Sequence, residues 1–448
     1  MNKPFNNGSL LLCVSTVLGV GIGLAPMPSF SQTTAGRPPT PARLAPAGIT
    51  PAPQTTDQAL LQAAQARHAN VVRTMATLVT IDSGTGDATG LAKVGAILAQ
   101  RLRSLGATVQ ELPVPPAAGT VVLGTFQGTG TRNILLMIHY DTVFDAGEAA
   151  RRPFRVDGTK AFGPGVADAK GGIALILEAL EISRQRGFKG YKTLTVLFNP
   201  DEEKSSLGSR GIIKATAAQQ DVVLSYEPPD ADRVIVATNG LAYLHLNVRG
   251  VASHAGSAPE KGRNAAIELA GQVMQLRQLG DPAKGTTVNW TILQSGERAN
   301  VIPDRATATA DMRLSDMGEI QRVENEAKAI IQKRVIPDTE VSVTIESRRP
   351  PFSRNPQSDR LAALADQVYQ ELGKTIEPVP MGFGTDAGFA YHPGSAKPVV
   401  LEGMGIVGDR LHSPDEWADL TSVVPRLYLT VRLLELLSAP GATPDSTR

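Results

Sequence analysis

Thr195–Ser206 reads TVLFNPDEEKSS, an apolar run that stops in three consecutive acids, Asp201, Glu202 and Glu203. Acids after a strand often do no more than favour the start of the next helix, through capping hydrogen bonds and the helix dipole. The neighbouring segments decide between that and chemistry. The same form recurs in NILLMIHYD (133–141), which closes on His139 and Asp141, and in VVLSYEP (222–228), which closes on Glu227. Between the first two lies an apolar helical pattern, GGIALILEALEISRQRG (171–187). Buried strands alternating with helices specify an α/β layer: a mainly parallel sheet flanked by helices. In such sheets ligands gather at the carboxyl ends of the strands, where these acids and this histidine fall.

Helical spacing begins earlier, in DQALLQAAQARHANVVRTMATLV (57–79), and recurs in GLAKVGAILAQRLRSLG (90–106). In the second, Val94, Ile97, Leu98, Leu102 and Leu105 fall at i, i+3, i+4 intervals and Gly106 supplies a stop. The rhythm changes near Gly240. LAYLHLNVRG (241–250) alternates, a helical segment runs from about Asn264 to Leu279, and TTVNWTILQSG (286–296) and RATATADMRLS (305–315) read as strands. The helical MGEIQRVENEAKAIIQKRV (317–335) then leads to a last strand, EVSVTIESRR (340–349). The order β-α-β-β-α-β describes a ferredoxin-like α+β sandwich, inserted because the first rhythm resumes after Pro350–Phe352. The expected organisation is a catalytic domain in two parts, 58–239 and 351–438, around an inserted domain at 240–350.

The ends have a different character. The first 31 residues carry one Lys, an apolar core from about Leu10 to Leu24 and small residues at Ser29 and Ser31, the pattern of a secretory signal peptide. Residues 32–57 form a linker rich in Pro, Ala and Thr, and 439–448 read as a disordered tail. The single cysteine, Cys13, lies in the signal core, so the exported chain has no disulfide to stabilise it. A secreted or periplasmic location follows, with no stable membrane insertion once the signal is removed. With 44 Lys and Arg against 43 Asp and Glu, no general field draws the chain to nucleic acid or an anionic membrane.

The three strand ends, joined by Asp168 in the glycine-rich GPGVADAKGG (163–172), bring His, Asp and Glu to one sheet edge. Imidazole with carboxylates suits zinc. His139 and Asp141 are two residues apart and share a side of an extended strand, so Asp141 can orient the ring of His139. Glu202 and Glu203, being adjacent, should divide the labour: one binds metal, the other moves a proton.

HYDTV (139–143), GPGVADAKGG, NPDEEKSSLGSR (199–210), SYEP (225–228), GVASHAG (250–256), NVIP (300–303), ADMR (310–313), GTDA (384–387) and HSPDEW (412–417) together resemble the dinuclear zinc aminoacylases, exopeptidases and deacylases. Within that family they look most like the secreted, folate-cleaving glutamate carboxypeptidases, in order, from about residue 60 to 437. The resemblance implies two Zn2+ per subunit, bridged by Asp168, one held also by His139 and Glu227 and the other by Glu203 and His412. It makes Glu202 the general base and Asp141 the orienting residue. It implies that the insert is a dimerisation domain giving a homodimer, with His254 reaching the partner's active site. Asn300, Arg313 and Gly384 fall where the family contacts a substrate's terminal carboxylate. Two positions depart from the pattern: Ala169 replaces a second acid after the bridging one, and Phe383 stands where the folate-cleaving members tend to have glycine.

The expected activity is zinc-dependent hydrolysis of the amide bond to a C-terminal amino acid, glutamate first, in N-acyl amino acids, folates or short peptides. A broader aminoacylase or dipeptidase is the alternative within the same chemistry. A non-catalytic zinc- or peptide-binding protein is the alternative outside it, and a base retained beside a ligand, as Glu202 is beside Glu203, counts against that.

Overall fold

The computed structural model describes residues 55–439, so the signal segment, most of the linker and the tail beyond 439 lie outside the described residues. In chain order, α1 (Gln58–Val79) and α2 (Ala88–Leu105) precede β1 (Thr108–Pro113), β2 (Thr120–Gln127) and β3 (Asn133–His139). Then come α3 (Lys170–Gln185), β4 (Thr193–Asn199), α4 (Arg210–Ala217) and β5 (Val222–Ser225). The next group is β6 (Gly240–Arg249), α5 (Ala265–Leu276), β7 (Thr287–Ser295), β8 (Arg305–Leu314), α6 (Gly318–Ile330) and β9 (Glu340–Arg349). The chain closes with α7 (Pro356–Glu371), β10 (Val399–Leu401) and α8 (Val423–Ser438). Local chemistry sets the helix ends. Asp87 accepts hydrogen bonds from the amides of Thr89 and Gly90 at the start of α2, and Gly106 ends it at φ 99°, where a side chain would be strained.

The larger sheet has the order β1-β2-β4-β3-β5-β10. The strands β4, β3, β5 and β10 are mutually parallel, while β1 and β2 add an antiparallel edge. The sheet is therefore mainly parallel, as expected, with a hairpin that the apolar runs did not announce. Period 2 explains why β3 is apolar throughout. Ile134, Leu136 and Ile138 join the apolar cluster that includes Leu78, Leu98, Leu175 and Leu434, whereas Leu135 and Met137 join Ile213, Phe352 and Phe389 on the other face. Each fully buried aliphatic side chain of this kind stabilises by about 1.5–3 kcal/mol.

The smaller sheet, order β7-β8-β6-β9, is antiparallel and carries α5 and α6, which is the ferredoxin-like arrangement. Ala242, Leu244, Leu246 and Val248 point from β6 into its own apolar cluster with Leu269 and Val323. At its carboxyl end β9 slips register between Ser347 and Arg349, a bulge that turns Arg349 inward.

Candidate active site

Because β3, β4 and β5 run in parallel, with His139 opposite Asn199 and Met137 opposite Ser225, their carboxyl ends share one edge. His139 ends β3, Glu202 and Glu203 sit on the single turn Glu202–Lys204 after β4, and Glu227 lies two residues beyond β5. Asp168 closes the loop before α3, through a cis peptide to Ala169. The fifth contributor, His412, comes from a turn tied in by short strands at Gly408–Asp409 and Trp417–Asp419.

The donor atoms converge. His139 Nε2 lies 3.0 Å from Asp168 Oδ1 and 3.6 Å from Glu227 Oε1. His412 Nε2 lies 3.1 Å from Asp168 Oδ2 and 3.2 Å from Glu203 Oε2. Asp168 thus presents one oxygen to each histidine, and three sets of three donors, His139–Asp168–Glu227, Asp168–Glu203–His412 and His139–Glu202–Glu203, each fall within 4.8 Å. Tetrahedral zinc with bonds of about 2.0–2.2 Å holds its donors about 3.3–3.6 Å apart, close to these separations. The second carboxylate oxygen of Glu203, Oε1, is buried with no hydrogen-bond partner, as expected of an atom meant for a cation. The residues fit zinc.

The electrostatics agree. Burial pushes the Glu203 carboxyl up to about 8, with the Asp168 charge adding to it. Burial also raises Glu227 well above the ordinary range. Burial opposes charge on Asp168, yet hydrogen bonds with His139 and His412 outweigh it and hold that group well below normal. Hydrogen bonds to Asp168 and Glu203 lift His412 to about 11. Carboxylates crowded into a dry pocket favour a divalent cation that neutralises them.

Around the donors stands a supporting ring. Asp141, fully buried, puts Oδ1 3.2 Å from His139 Nδ1 and accepts the Glu202 amide at 3.0 Å. Its Oδ2 accepts the Glu203 amide at 3.2 Å and the Thr85 hydroxyl at 2.6 Å. Glu416 accepts the amides of Gly165, Ala167 and Asp168 at 2.9, 2.9 and 3.0 Å, fixing the loop that carries Asp168. Glu402 accepts the Glu227 amide at 3.2 Å.

Glu202 lies in reach of His139 and Glu203, its donor atom within 4.8 Å of theirs. Its carboxylate meets the guanidinium of Arg349, which is 4 % exposed and also donates to the carbonyls of Glu202 and Gly384 at 2.7 and 3.0 Å. Burial works against the charge of Arg349, but Glu202 and Asp386 outweigh it and raise its pKa. Gly384 is confined here: a Cβ would lie 2.7 Å from the Asn239 carbonyl and 3.1 Å from Arg349 Cδ. Asp386 receives the Asn199 amide at 2.7 Å and the Ser206 hydroxyl at 2.5 Å, bracing both ends of the acidic turn.

The other expected substrate contacts are not in this cluster. Arg313, one residue before the end of β8, has its fork on Asp311, Nε at 2.7 Å and Nη2 at 3.0 Å, because residues two apart share a strand face. His254 is exposed and caps its own turn, its Nδ1 accepting the amides of Gly256 and Ser257 at 3.1 Å. Asn300 is exposed beside it and accepts the Ala255 amide at 2.9 Å. The buried cation beside the acidic turn is Arg349, which the reading of the sequence passed over.

The fold and this donor set define a metal-dependent hydrolase. The model of the peptidase family M20/M25/M40 matches residues 135–436, and the chain belongs to that family. Carboxypeptidase G2 of Pseudomonas sp. (strain RS-16) is 40% identical over 394 residues, covering 86% of this chain and 94% of that protein. Acetylornithine deacetylase of Proteus mirabilis (strain HI4320) is 28% identical over 359 residues, covering 76% of this chain and 88% of the relative. Among solved structures, an M20 family metallo-carboxypeptidase from Sulfolobus solfataricus superposes with a TM-score of 0.67 at 16% identity, over 82% of this chain and 99% of that one.

Proposed function

We propose that the chain is a zinc metallocarboxypeptidase that hydrolyses the amide bond to a C-terminal amino acid, glutamate first, in N-acyl amino acids, folates or short peptides. The relative named carboxypeptidase G2 supports the reaction class. The observation that carries the reading is the separation of two adjacent acids: Glu203 turns to His412 and Asp168, Glu202 to Arg349. A ligand and a base thus stand side by side, with a fixed cation next to the base.

His139 and Glu227 would hold one zinc, Glu203 and His412 the other, and Asp168 would bridge them, giving two per subunit. Bound zinc supplies Lewis acidity, which polarises a carbonyl and lowers the pKa of water. Glu202 removes a proton from the attacking water and delivers it to the leaving amine. Asp141 fixes the ring of His139. Arg313, half-exposed with its fork on Asp311, would offer the planar fork for the free carboxylate of the leaving amino acid, while Arg349, engaged with Glu202 and the Gly384 carbonyl, holds the base in place. That makes the enzyme an exopeptidase.

His254, on the ladder of Ser253–His254 with Val301–Ile302, and Asn300, the residue before that ladder, would act in a homodimer, reaching a partner's site from the insert. A monomer with full activity in sedimentation would remove that role. An extracytoplasmic location rests on the apolar segment near the amino end. Among the described residues no helix is long and apolar enough to cross a membrane. The acetylornithine deacetylase relative supports a second reading, a broader aminoacylase.

The test is amino-acid release by the zinc-loaded protein from matched N-acyl-glutamate, N-acyl-leucine and N-acyl-alanine, with a C-terminally amidated control. Preference for glutamate with an inert amide supports the carboxypeptidase. Equal cleavage of leucine and alanine moves it to the aminoacylase, and cleavage of the amide removes the carboxylate fork.

A further inference from the structure

The helices α1, α2 and α3 border a charged cavity of about 260 Å³ that shares no residue with the donor set. Its walls are Arg67, Asn70 and Arg73 of α1, Arg101 of α2 and Glu178 of α3. We infer that this cavity is a second binding site, independent of the proposed hydrolysis, and that it takes a phosphate dianion, free or as the monoester of a small alcohol.

The charges do not balance without a ligand. Glu178, 2 % exposed, puts Oε2 3.2 Å from Arg67 Nη1 and Oε1 2.9 Å from Arg101 Nη2, and the Thr74 hydroxyl donates to the same Oε1 at 3.4 Å. The other end of the Arg67 fork, Nη2, lies 3.1 Å from Glu181 Oε1, which Arg184 also holds at 2.6 Å. Two carboxylates therefore serve three guanidiniums. Arg73 is a fourth, and its side chain has one partner among the described residues, the side-chain carbonyl of Asn70. The cluster carries two positive charges more than its acids cancel, gathered around a hollow where the local potential is reinforced.

The free groups on the walls are donors. Arg73 and Arg101 each keep unused guanidinium N–H groups, and the Asn70 side-chain NH2 has no acceptor among the described residues. Thr74 and Thr77 have already committed their hydroxyl protons, to Glu178 and to the Arg73 carbonyl. A ligand that only accepts, carries two charges and suits planar forks meets these demands, and a phosphate does so. The floor differs from the walls: Leu78 and Leu177 are fully buried there and Ile97 is half-buried. That apolar floor gives an ester's alcohol a place to lie, in a volume near the lower end for small-molecule sites, about 300 Å³.

The experiment is calorimetric titration of the zinc-loaded full chain at about pH 8, where a phosphate monoester carries two charges, at constant ionic strength set with chloride. The probes are inorganic phosphate, glycerol 3-phosphate and succinate, a dianion without the tetrahedral head. Both phosphates should bind, with the ester the tighter if the floor is used and inorganic phosphate the tighter if only the guanidiniums are. Arg73→Ala should weaken both by about tenfold or more. Asn70→Asp, which places a carboxylate where Arg73 lacks one, should do the same and serves alone if the first variant does not fold. Neither residue touches the donor set, so hydrolysis by both variants should equal the parent's. Absence of binding, succinate binding as tightly as phosphate, or affinities unchanged in a folded variant overturns the proposal. Phosphate that inhibits hydrolysis equally in the parent and both variants, with no other binding, sits at the zinc site and overturns it as well.

Discussion

Glu202 and Glu203 are consecutive, yet their carboxylates have different partners: the first meets the guanidinium of Arg349, the second lies 3.2 Å from Nε2 of His412. The turn Glu202–Lys204 makes this possible, since it releases the two side chains from the strict alternation of a strand.

Arg349 is the first place to test the division. Arg349→Lys keeps a charge but loses the fork that grips Glu202 and the Gly384 carbonyl, so kcat for an N-acyl-glutamate should fall by about tenfold to a hundredfold while zinc content stays unchanged. Arg349→Ala leaves Glu202 and Asp386 without their buried counter-charge and should also destabilise by about 3 kcal/mol. Steady-state kinetics and thermal unfolding of both variants check this. Equal kcat in Arg349→Lys and the parent would show that the fork does not position Glu202.

Asp141 acts through others. It receives the Glu202 and Glu203 amides and the Thr85 hydroxyl and lies against His139. Asp141→Ala should weaken zinc binding by about 10–100-fold, measured by competition with a chelator of known affinity. Unchanged affinity would reduce Asp141 to a structural cap.

Glu416 has no contact with the donor atoms themselves but collects three backbone amides of the loop that presents Asp168. Glu416→Ala strands those donors in a buried place and should cost about 1–3 kcal/mol for each amide that water cannot reach. Denaturant unfolding of the metal-free protein isolates this from zinc affinity. A loss below about 0.5 kcal/mol would mean the loop holds itself.

Much of this was legible in the sequence because parallel strands place their ends together. His139, the acids after Asn199 and Glu227 each followed a short apolar run, so one sheet edge gathered them. What escaped depended on irregular or distant geometry. Arg349 is invisible to period-2 reading because the bulge between Ser347 and Arg349 shifts the face it joins. Arg313 was expected at the substrate carboxylate from the family resemblance, and in this chain its fork rests on Asp311, two residues back on the same face. Glu416 lay within a quoted motif, but its partners are nearly 250 residues earlier in the chain and are backbone amides, which leave no pattern. The β1–β2 hairpin was missed because its alternation is shallow: β1 is half-buried at best.

The most direct measurement is zinc content and turnover of Glu202→Gln beside Glu203→Gln. The division of labour predicts that Glu202→Gln binds as much zinc as the parent and loses about 10²–10⁴ in kcat, while Glu203→Gln loses zinc. A Glu202→Gln protein that turned over at the parent's rate, or that lost zinc as Glu203→Gln does, would contradict it.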